Sequence, residues 1–487
     1  MVGRRLASGI AVAIAVTVGC GIEEDGAGVF ATGGAGGSTG GTPGGGAGGA
    51  VGGSGAASGA GGAAGAGGGG AGGAAGSGGG SGGSAGTGGA GGTSGSGGAS
   101  GGSGGASGGT GGASGGAGGA TGGSGGTGGT GGTCTGGLTE KTIAGAGSPG
   151  STPMYGAVMP SGDTAIAWAN AGNVYVTRVN AAGTKLGADF SVPGLHVHGF
   201  TASSDGYGLL VARNPDHLVF VKLSTVGAVA ADKTLTGGCD HNVVGCEWYA
   251  FGGFFADGGR LLFNGAGYTA YFPIYRRWPD NIAHTGDTLR KLDLSGSAAA
   301  GGWSWGCSHS LDVRLAQSGS VVGPVCLSDC YSQKAILWSN SKIISDEPTG
   351  NCSGTSGAAL GGFVPVSGGF WVSYVSPQGR PNKDIAVAKL DSTGTASTKV
   401  WLTSNSVDDD SAHLVAFNGR LLAAWRSGTT RTLQELDINS GAPVGAPVTV
   451  TSAFRAKDDF VAYPNGDAGW VYGSGANLVL ARYSKCP

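Results

Sequence analysis

Charged residues are scarce in this chain of 487 residues, in which Asp, Glu, Lys and Arg together make up only 11%. The 27 basic and 29 acidic side chains leave a formal net charge of −2. This balance argues against nucleic acid or anionic lipid as the main partner, because both are recognised through an excess of positive charge. Long apolar runs are lacking too, and the run from Ile10 to Val18 is too short for a stable membrane span.

The N-terminus has the features of a secretory signal. The basic pair Arg4 and Arg5 precedes the apolar run, and small residues lead from Thr17 into Cys20. A charged segment, a short apolar segment and small residues, in that order, are typical of a cleaved signal peptide. One interpretation is an ordinary cleavage site beside an incidental cysteine.

The residues before Cys20 also resemble the lipobox of bacterial lipoproteins, except that Thr17 stands where Leu is usual. The resemblance implies that residues 1–19 are a lipoprotein signal peptide and that Cys20 is lipidated and becomes the mature N-terminus. Gly21 stands where lipoproteins kept in the inner membrane usually carry Asp, which implies sorting to the outer membrane. The lipid would then be the only membrane anchor, and the domain would face the periplasm or the cell surface.

Residues 20–137 are mostly Gly with Ala, Ser and Thr, and no charged residue lies between Asp25 and Glu140. Such a segment cannot bury enough apolar area to offset the entropy lost on ordering, so it is predicted to be disordered. As a Gly-rich coil it would have an r.m.s. span of ~60 Å. We interpret it as a passive tether; the alternative, a polyglycine-like structure, lacks the strict period of collagen.

Residues 138–487 have a different pattern and hold all 10 tryptophans. Short β-branched or aromatic runs, bounded by Gly, Asp and Asn, recur at residues 164–168, 174–179, 218–223, 421–425 and 478–482. These runs predict β-strands, and no helix of ten residues is predicted in this domain.

A tight-turn signal recurs seven times between pairs of predicted strands. The turns are Gly162-Asp163, Asp205-Gly206, Asp257-Gly258, Ser318-Gly319, Ser367-Gly368, Asn418-Gly419 and Asn465-Gly466. These residue types tolerate the positive φ of two-residue hairpins. Their spacing of about 45 to 60 residues is the length of one four-stranded propeller blade. The sequence therefore predicts an all-β fold, a seven-bladed β-propeller that follows the disordered Gly-rich tether.

The ends of the domain are predicted to meet. The strand at residues 138–144 has no blade of its own, whereas the last blade runs out of chain near Tyr483. We expect this strand to complete the last blade and close the ring. Cys134 and Cys486 flank that seam and are predicted to form a disulfide. The domain is expected to be a monomer.

The domain thus resembles β-propellers, and the whole chain resembles bacterial surface lipoproteins with a Gly-rich tether and a propeller-like ectodomain. The resemblance rests on the period of the strands. The chain has no Ser-x-Asp-x-Gly-x-x-Trp box of sialidases and no Gly-His…Trp-Asp pair of WD repeats. The acidic run at residues 408–410 lacks the spaced oxygens and the Gly of a calcium loop. No catalytic set can therefore be transferred.

The chain has nine cysteines, and eight remain once Cys20 is set aside. An even number in an exported protein favours disulfides. Cys239 is predicted to pair with Cys246. Cys307, Cys326, Cys330 and Cys352 can pair in three ways, and the sequence does not choose among them. A zinc site formed by some of these cysteines with His309 is the less favoured alternative, so no metal and no cofactor are predicted.

Residues just ahead of the inner strands should converge on one face of a propeller. These are Tyr155, His198, Trp248, His309, Ser356, His413 and Asp458 or Asp459. A long loop is expected at residues 265–287 of blade three, beside the chemically dense segment 301–315. The candidate ligand-binding residues on that face are Trp278, Trp303, Trp305, Arg277, Arg314, His284, His309, Asp287 and Asp312.

Each candidate also has a structural interpretation. Asp312 and Arg314 alternate on one strand and could form a salt bridge between blades, and the tryptophans could cover the edges of blades three and four. Flat aromatic faces beside Arg and Asp are, however, typical of recognition sites.

Two hypotheses of function follow. The first is a binding module for extracellular glycan or surface protein. The second is a polysaccharide hydrolase or lyase with its site on the loop-rich face of blades three to five. It would use His309 or His284 with Asp312, Asp287 or Asp329 as the acid–base pair. The sequence contains no diagnostic catalytic pair, so it leaves both hypotheses open.

Overall fold

The computed structural model describes residues 137–145, 149, 152–249, 258–328, 335–338, 342–347 and 357–485. Every regular element in these ranges is a β-strand, as the sequence predicts. Over the same ranges there is no helix of the length and apolarity that a membrane span requires. The predicted signal peptide, Cys20 and residues 20–136 of the predicted tether lie outside the described residues.

The described strands are numbered here in chain order and grouped by sheet. They are β1 (Gly137–Ile143); in blade one β2 (Tyr155–Val158), β3 (Thr164–Asn170), β4 (Asn173–Val179) and β5 (Phe190–Pro193); in blade two β6 (His196–Ser203), β7 (Gly206–Asn214), β8 (His217–Ser224) and β9 (Val229–Thr236); in blade three β10 (Glu247–Trp248), β11 (Arg260–Phe263), β12 (Gly267–Arg277), β13 (Ala283–Asp293) and β14 (Ala298–Ser304); in blade four β15 (Ser310–Ser318), β16 (Val321–Ser328), β17 (Ala335–Trp338) and β18 (Lys342–Asp346); in blade five β19 (Ala359–Val366), β20 (Gly369–Ser376), β21 (Asp384–Asp391) and β22 (Ala396–Trp401); in blade six β23 (Asp409–Phe417), β24 (Arg420–Ser427), β25 (Thr430–Leu436) and β26 (Pro443–Val450); and in blade seven β27 (Phe460–Ala462), β28 (Ala468–Ser474) and β29 (Asn477–Ser484).

Each of the seven sheets is an antiparallel meander, so the fold is a seven-bladed β-propeller. The inner strands are β2, β6, β11, β15, β19, β23 and β27, and each one neighbours the next around the ring, with β27 returning to β2. Blade three carries a fifth strand, β10, which pairs with the far end of β12.

The apolar core is divided among the interfaces between blades. Seven clusters of buried side chains are described, and each is shared by two neighbouring blades. The cluster between blades seven and one, for example, joins Trp168 and Ile166 to Leu478 and Leu480, and includes Ile143 of β1. The strand faces alternate between the two neighbours, and the burial of both faces explains why the strands are rich in apolar residues.

The ring is closed by β1, which pairs antiparallel with β29 as the outermost strand of blade seven. The register runs from Gly137 opposite Ser484 to Ile143 opposite Leu478. The predicted pairing of the two ends of the domain is therefore confirmed. Cys134 and Cys486 lie outside the described residues, so the predicted disulfide between them stays a prediction.

Six of the seven predicted tight turns join the first and second strands of a blade. At the turn between β23 and β24, Asn418 has φ 43° and Gly419 has φ 71°. Two consecutive residues with positive φ are what a type I′ hairpin requires.

The predicted turn at Asp257-Gly258 of blade three is wrong. The inner strand β11 begins at Arg260 and reaches β12 through the turn at residues 264–266. The predicted loop at residues 265–287 is also wrong, because these residues form most of the long hairpin β12–β13, whose tip is at residues 278–282. Pro273 lies opposite Asp287 within this ladder, although proline normally weakens the prediction of a strand interior.

Candidate functional site

The long hairpin of blade three presents different side chains on its two faces. Successive residues of a strand point to opposite faces, so Phe272 and Ile274 pack toward blade two, whereas Tyr271 packs toward blade four. By the same alternation His284 and Asp287 point to opposite faces of β13. The predicted acid–base pair of His284 with Asp287 is therefore not brought together.

Four aromatic side chains near the tip of the hairpin form what we call the rim cluster: Trp278, His284, Trp305 and His309. The ring of Trp278 meets that of Trp305 edge to face at 5.1 Å, and His284 lies 6.3 Å from His309 between ring centroids. All four side chains are partly exposed. The strand ends and the segment before β15 place this cluster on the face of the ring where the inner strands begin.

The backbone around residue 305 holds the cluster in place. Trp305 has φ 70° and its ring lies against Gly286, where a Cβ atom would come within 2.6 Å of the indole. The Trp305 N–H donates to the Asp287 carbonyl at 2.6 Å, and the His309 N–H donates to the Thr285 carbonyl at 2.7 Å. This segment therefore continues along β13, and the absence of a side chain at Gly286 makes room for the indole.

Polar groups surround the tip of the hairpin. The guanidinium of Arg276 lies 5.0 Å from the centre of the Trp278 ring, and His284 Nε2 lies 3.1 Å from Asp280 Oδ2. Trp278 Nε1 is buried and has no hydrogen-bond partner among the described residues. The rim cluster thus combines flat aromatic faces with the exposed carboxylate of Asp280 and the partly exposed His284.

Arg277 has a structural role. Its Nε donates to the His241 carbonyl at 2.6 Å and its Nη1 to the Asn281 carbonyl at 2.7 Å. It thereby joins the tip of the hairpin to the loop closed by the disulfide Cys239–Cys246. That loop also exchanges backbone hydrogen bonds with the end of β12. The predicted Cys239–Cys246 pairing is confirmed, and it supports the hairpin from the side.

On the opposite face of the hairpin, Asp287 is fully buried. Its Oδ2 accepts a hydrogen bond from the hydroxyl of Tyr271, and its Oδ1 accepts one at 2.6 Å from the N–H of Cys307. Burial raises the pKa of Asp287 to about 7, although both hydrogen bonds oppose this shift. Trp303 packs on the same side, edge to face with Tyr271 at 5.6 Å, and covers the interface between blades three and four.

A second disulfide, Cys307–Cys326, lies beside Asp287 and joins the segment before β15 to β16. It selects one of the three pairings left open by the sequence. Among the described residues, Asp287, Cys307 and Cys326 are a group whose ligand atoms lie within 4.8 Å of one another. Because the two sulfurs are bonded to each other, only the carboxylate could bind a metal. Cys330, Cys352, Asp329 and Ser356 lie outside the described residues.

Asp312 and Arg314 form a buried ion pair, with 2.7 Å between Oδ1 and Nη1. The same guanidinium donates to the carbonyls of Leu360 and Gly361 in β19 of blade five. The pair therefore links blades four and five, which is the structural interpretation of these two residues. Burial opposes ionisation of Asp312, but the positive charges of Arg314, Lys457 and Arg260 hold the pKa of this carboxyl below its usual value.

The centre of the ring contains a cavity of about 270 Å³, here called the axial cavity, to which all seven blades contribute. The polar residues of its lining are Tyr155, Thr201, Arg260, Arg314, His413, Asp458 and Asp459. Four of these, Tyr155, His413, Asp458 and Asp459, belong to the predicted set of converging residues. His198 and Trp248 are buried away from this lining, against Tyr249 and between His241 and Tyr275 respectively.

Arg260 and Arg314 complete the cavity. Arg314 is among the candidate ligand-binding residues predicted for this face, whereas Arg260 is not. Arg260 was missed because the turn of blade three was placed at residues 257–258. The signal that identifies it is Asn264-Gly265, a typical hairpin pair, which makes residues 260–263 the inner strand.

His413 forms a neutral part of the cavity wall. Its ring stacks on Phe460 at 4.3 Å and meets Phe454 edge to face at 5.3 Å. Burial, together with the charges of Arg314 and Arg260, lowers the pKa of His413 to about 3. The imidazole is therefore uncharged at neutral pH and adds no positive charge to the cavity.

The chain resembles known proteins only at the level of its fold. No family model and no curated protein matches the chain. Among solved structures, the chain is similar to the β-propeller domain of Cps50 (Swd1) from Myceliophteria thermophila. The two share 9% sequence identity over 71% of this chain and 99% of that one, with a TM-score of 0.40. The seven-bladed fold is established here by the strand order of the chain itself.

Proposed function

We propose that this chain is a tethered binding module for extracellular glycan. In this proposal the lipid on Cys20 and the Gly-rich segment hold the propeller at the outer membrane, and the rim cluster is the binding surface. The observation that carries the proposal is the edge-to-face pair of Trp278 and Trp305 near the tip of the long hairpin of blade three, which the loop closed by Cys239–Cys246 supports.

A sugar suits the chemistry of the rim cluster. A pyranose ring offers an apolar face that packs on an indole, and its hydroxyl groups need donors and acceptors at the edge of that contact. The exposed Asp280 can accept a hydrogen bond from such a hydroxyl, and the partly exposed His284 can accept from or donate to its neighbours. The two disulfides favour binding, because they limit the loss of loop entropy when a ligand is held.

The geometry favours binding over hydrolysis. General acid–base catalysis needs two titratable groups within reach of one bond. Asp287 is buried on the face away from His284, and both of its oxygens accept hydrogen bonds from the protein. Asp312 forms an ion pair with Arg314 and accepts a hydrogen bond from the N–H of Val313. These two carboxyl groups are therefore unavailable to the partners that the enzyme hypothesis requires.

A glycan array probed with the propeller domain tests the proposal, and every positive glycan is then incubated with the protein and analysed for products. We expect binding with no cleavage. Binding followed by cleavage would favour the hydrolase or lyase, and binding to outer-surface proteins in the absence of any glycan signal would favour a protein ligand.

A further inference from the structure

Arg260 and Asp459 carry opposite charges and line the same axial cavity, yet they do not form an ion pair within 4.0 Å among the described contacts. Nη1 of Arg260 donates a hydrogen bond to the Gly259 carbonyl at 2.7 Å and another to the Tyr155 hydroxyl at 3.4 Å. Asp459 donates its backbone N–H to the Met154 carbonyl at 2.9 Å, and its carboxylate lies near the backbone N–H of Gly156. Both side chains are partly exposed and keep hydrogen-bonding capacity that faces the cavity.

The other charged groups of the lining are already neutralised. Asp312 pairs with Arg314 at 2.7 Å, and Asp458 pairs with Arg455 at 3.3 Å while accepting the backbone N–H of Met154 at 3.0 Å. With Arg260 and Asp459 balancing each other and His413 uncharged, the lining has no net charge. An occupant should therefore carry no net charge either, because an excess charge would be buried without compensation.

Most of the remaining lining is apolar. Phe200, Phe363 and several leucines contribute apolar side chains, whereas Gly156, Gly361 and Gly362 offer backbone without side chains. The volume of about 270 Å³ is just below the ~300 Å³ at which typical small-molecule sites begin. The cavity can therefore hold a single ring but not a longer oligomer.

We propose that the axial cavity is a second binding site, which takes one uncharged, polyhydroxylated ring such as a hexopyranose. A hydroxyl group both donates and accepts, so neighbouring hydroxyls of one sugar can accept from Arg260 and donate to Asp459, thereby bridging the two charges. The apolar face of the ring packs against the phenylalanines. This site shares no residue with the rim cluster, and it is expected to be present whether or not the rim cluster binds glycan.

The test uses saturation-transfer NMR on the folded propeller with glucose, galactose, mannose and N-acetylglucosamine as probes. Glucuronate serves as the anionic probe and alanine as the zwitterionic one. We expect at least one neutral sugar to bind, and Asp459→Asn and Arg260→Gln each to weaken it tenfold or more. Asp459→Asn keeps the size of the side chain, whereas Arg260→Gln shortens it and removes the charge, so circular dichroism with thermal melting is used to show whether both variants remain folded.

A matched control variant tests whether the loss is specific to this site. Asp408→Asn should leave monosaccharide binding unchanged, because it alters an exposed carboxylate that pairs with Lys383 at 3.6 Å and does not line the cavity. The proposal is overturned if no neutral sugar binds, if only glucuronate or alanine binds, or if binding is unaffected by both Asp459→Asn and Arg260→Gln. Loss of glycan binding at the rim would leave these results unchanged.

Discussion

The hydroxyl of Tyr271 donates a hydrogen bond to Asp287 inside the interface between blades three and four, where both side chains are fully buried. The carboxyl therefore lies in an apolar environment, next to the disulfide Cys307–Cys326, and on the face of the hairpin opposite the rim cluster. Its role is to hold the segment that carries Trp305, because it accepts the N–H of Cys307 and its backbone carbonyl accepts that of Trp305.

Asp287 should make the stability of the propeller depend on pH. Its pKa is about 7 in the folded state and near 3.8 when unfolded, so its contribution is complete below about pH 3.8 and is lost as the pH rises through 7. The difference corresponds to a loss on the order of 4 kcal/mol. Denaturant titrations between pH 4 and 8 should show this loss in the wild type but not in Asp287→Asn. Parallel pH profiles of the two proteins would contradict the assignment.

Trp305→Ala should destabilise the domain by about 2 kcal/mol, because a half-buried indole packed on Gly286 and on the cluster between blades two and three would be removed. Trp278→Ala, at the exposed tip, should cost less than about 1 kcal/mol. Thermal melting of both variants measures the difference. Equal melting temperatures would show that Trp305 is not packed as described.

The cysteines outside the described residues can be assigned by peptide mapping under non-reducing conditions. With Cys239–Cys246 and Cys307–Cys326 formed, we expect Cys330 to pair with Cys352 and Cys134 with Cys486. A peptide that joins Cys330 to Cys307 or to Cys326 would contradict both the Cys307–Cys326 and the Cys330–Cys352 pairings. A free thiol at Cys486 would contradict the predicted disulfide between Cys134 and Cys486.

A chain that begins at Thr133 should fold by itself as a monomer, because β1 supplies the last strand of the ring. Removing β1 as well should expose the edge of β29 and take Ile143 out of the cluster between blades seven and one. We expect the shorter chain to melt at a clearly lower temperature or to aggregate. Limited proteolysis of the full chain should leave a core of about 350 residues, and two stable fragments in place of one core would contradict a closed ring.

Much of the fold could be predicted from sequence, because turn chemistry is local. Asn418-Gly419 and five similar pairs mark turns whose positive φ few other residues accept. The prediction for blade three failed for local reasons as well. Asp257-Gly258 has the residue types of a tight turn, and Pro273 argues against a strand although it lies within β12. Positions across the ring could not be predicted, since the distance between Arg260 and Asp459 depends on how seven strands meet, and no short-range pattern encodes it.

The composition of the rim cluster was predicted in part. Trp278, Trp305, His284 and His309 do come together. Asp287, Trp303 and Arg277 instead support the hairpin or its interfaces, because strand alternation and backbone contacts assign them elsewhere. A one-residue change of register would reverse these roles, and for this reason the sequence alone could not separate them.

The most direct test of the proposed function is the affinity of Trp278→Ala for a glycan identified on the array, measured by isothermal titration calorimetry beside Trp401→Ala. Trp401 is a matched, partly exposed tryptophan on the outer strand of blade five, where Arg380 and Lys399 lie over its ring. We predict that Trp278→Ala weakens binding at least tenfold with little change in melting temperature, and that Trp401→Ala binds as the wild type does. Equal affinity of all three proteins would contradict the rim cluster as the binding surface.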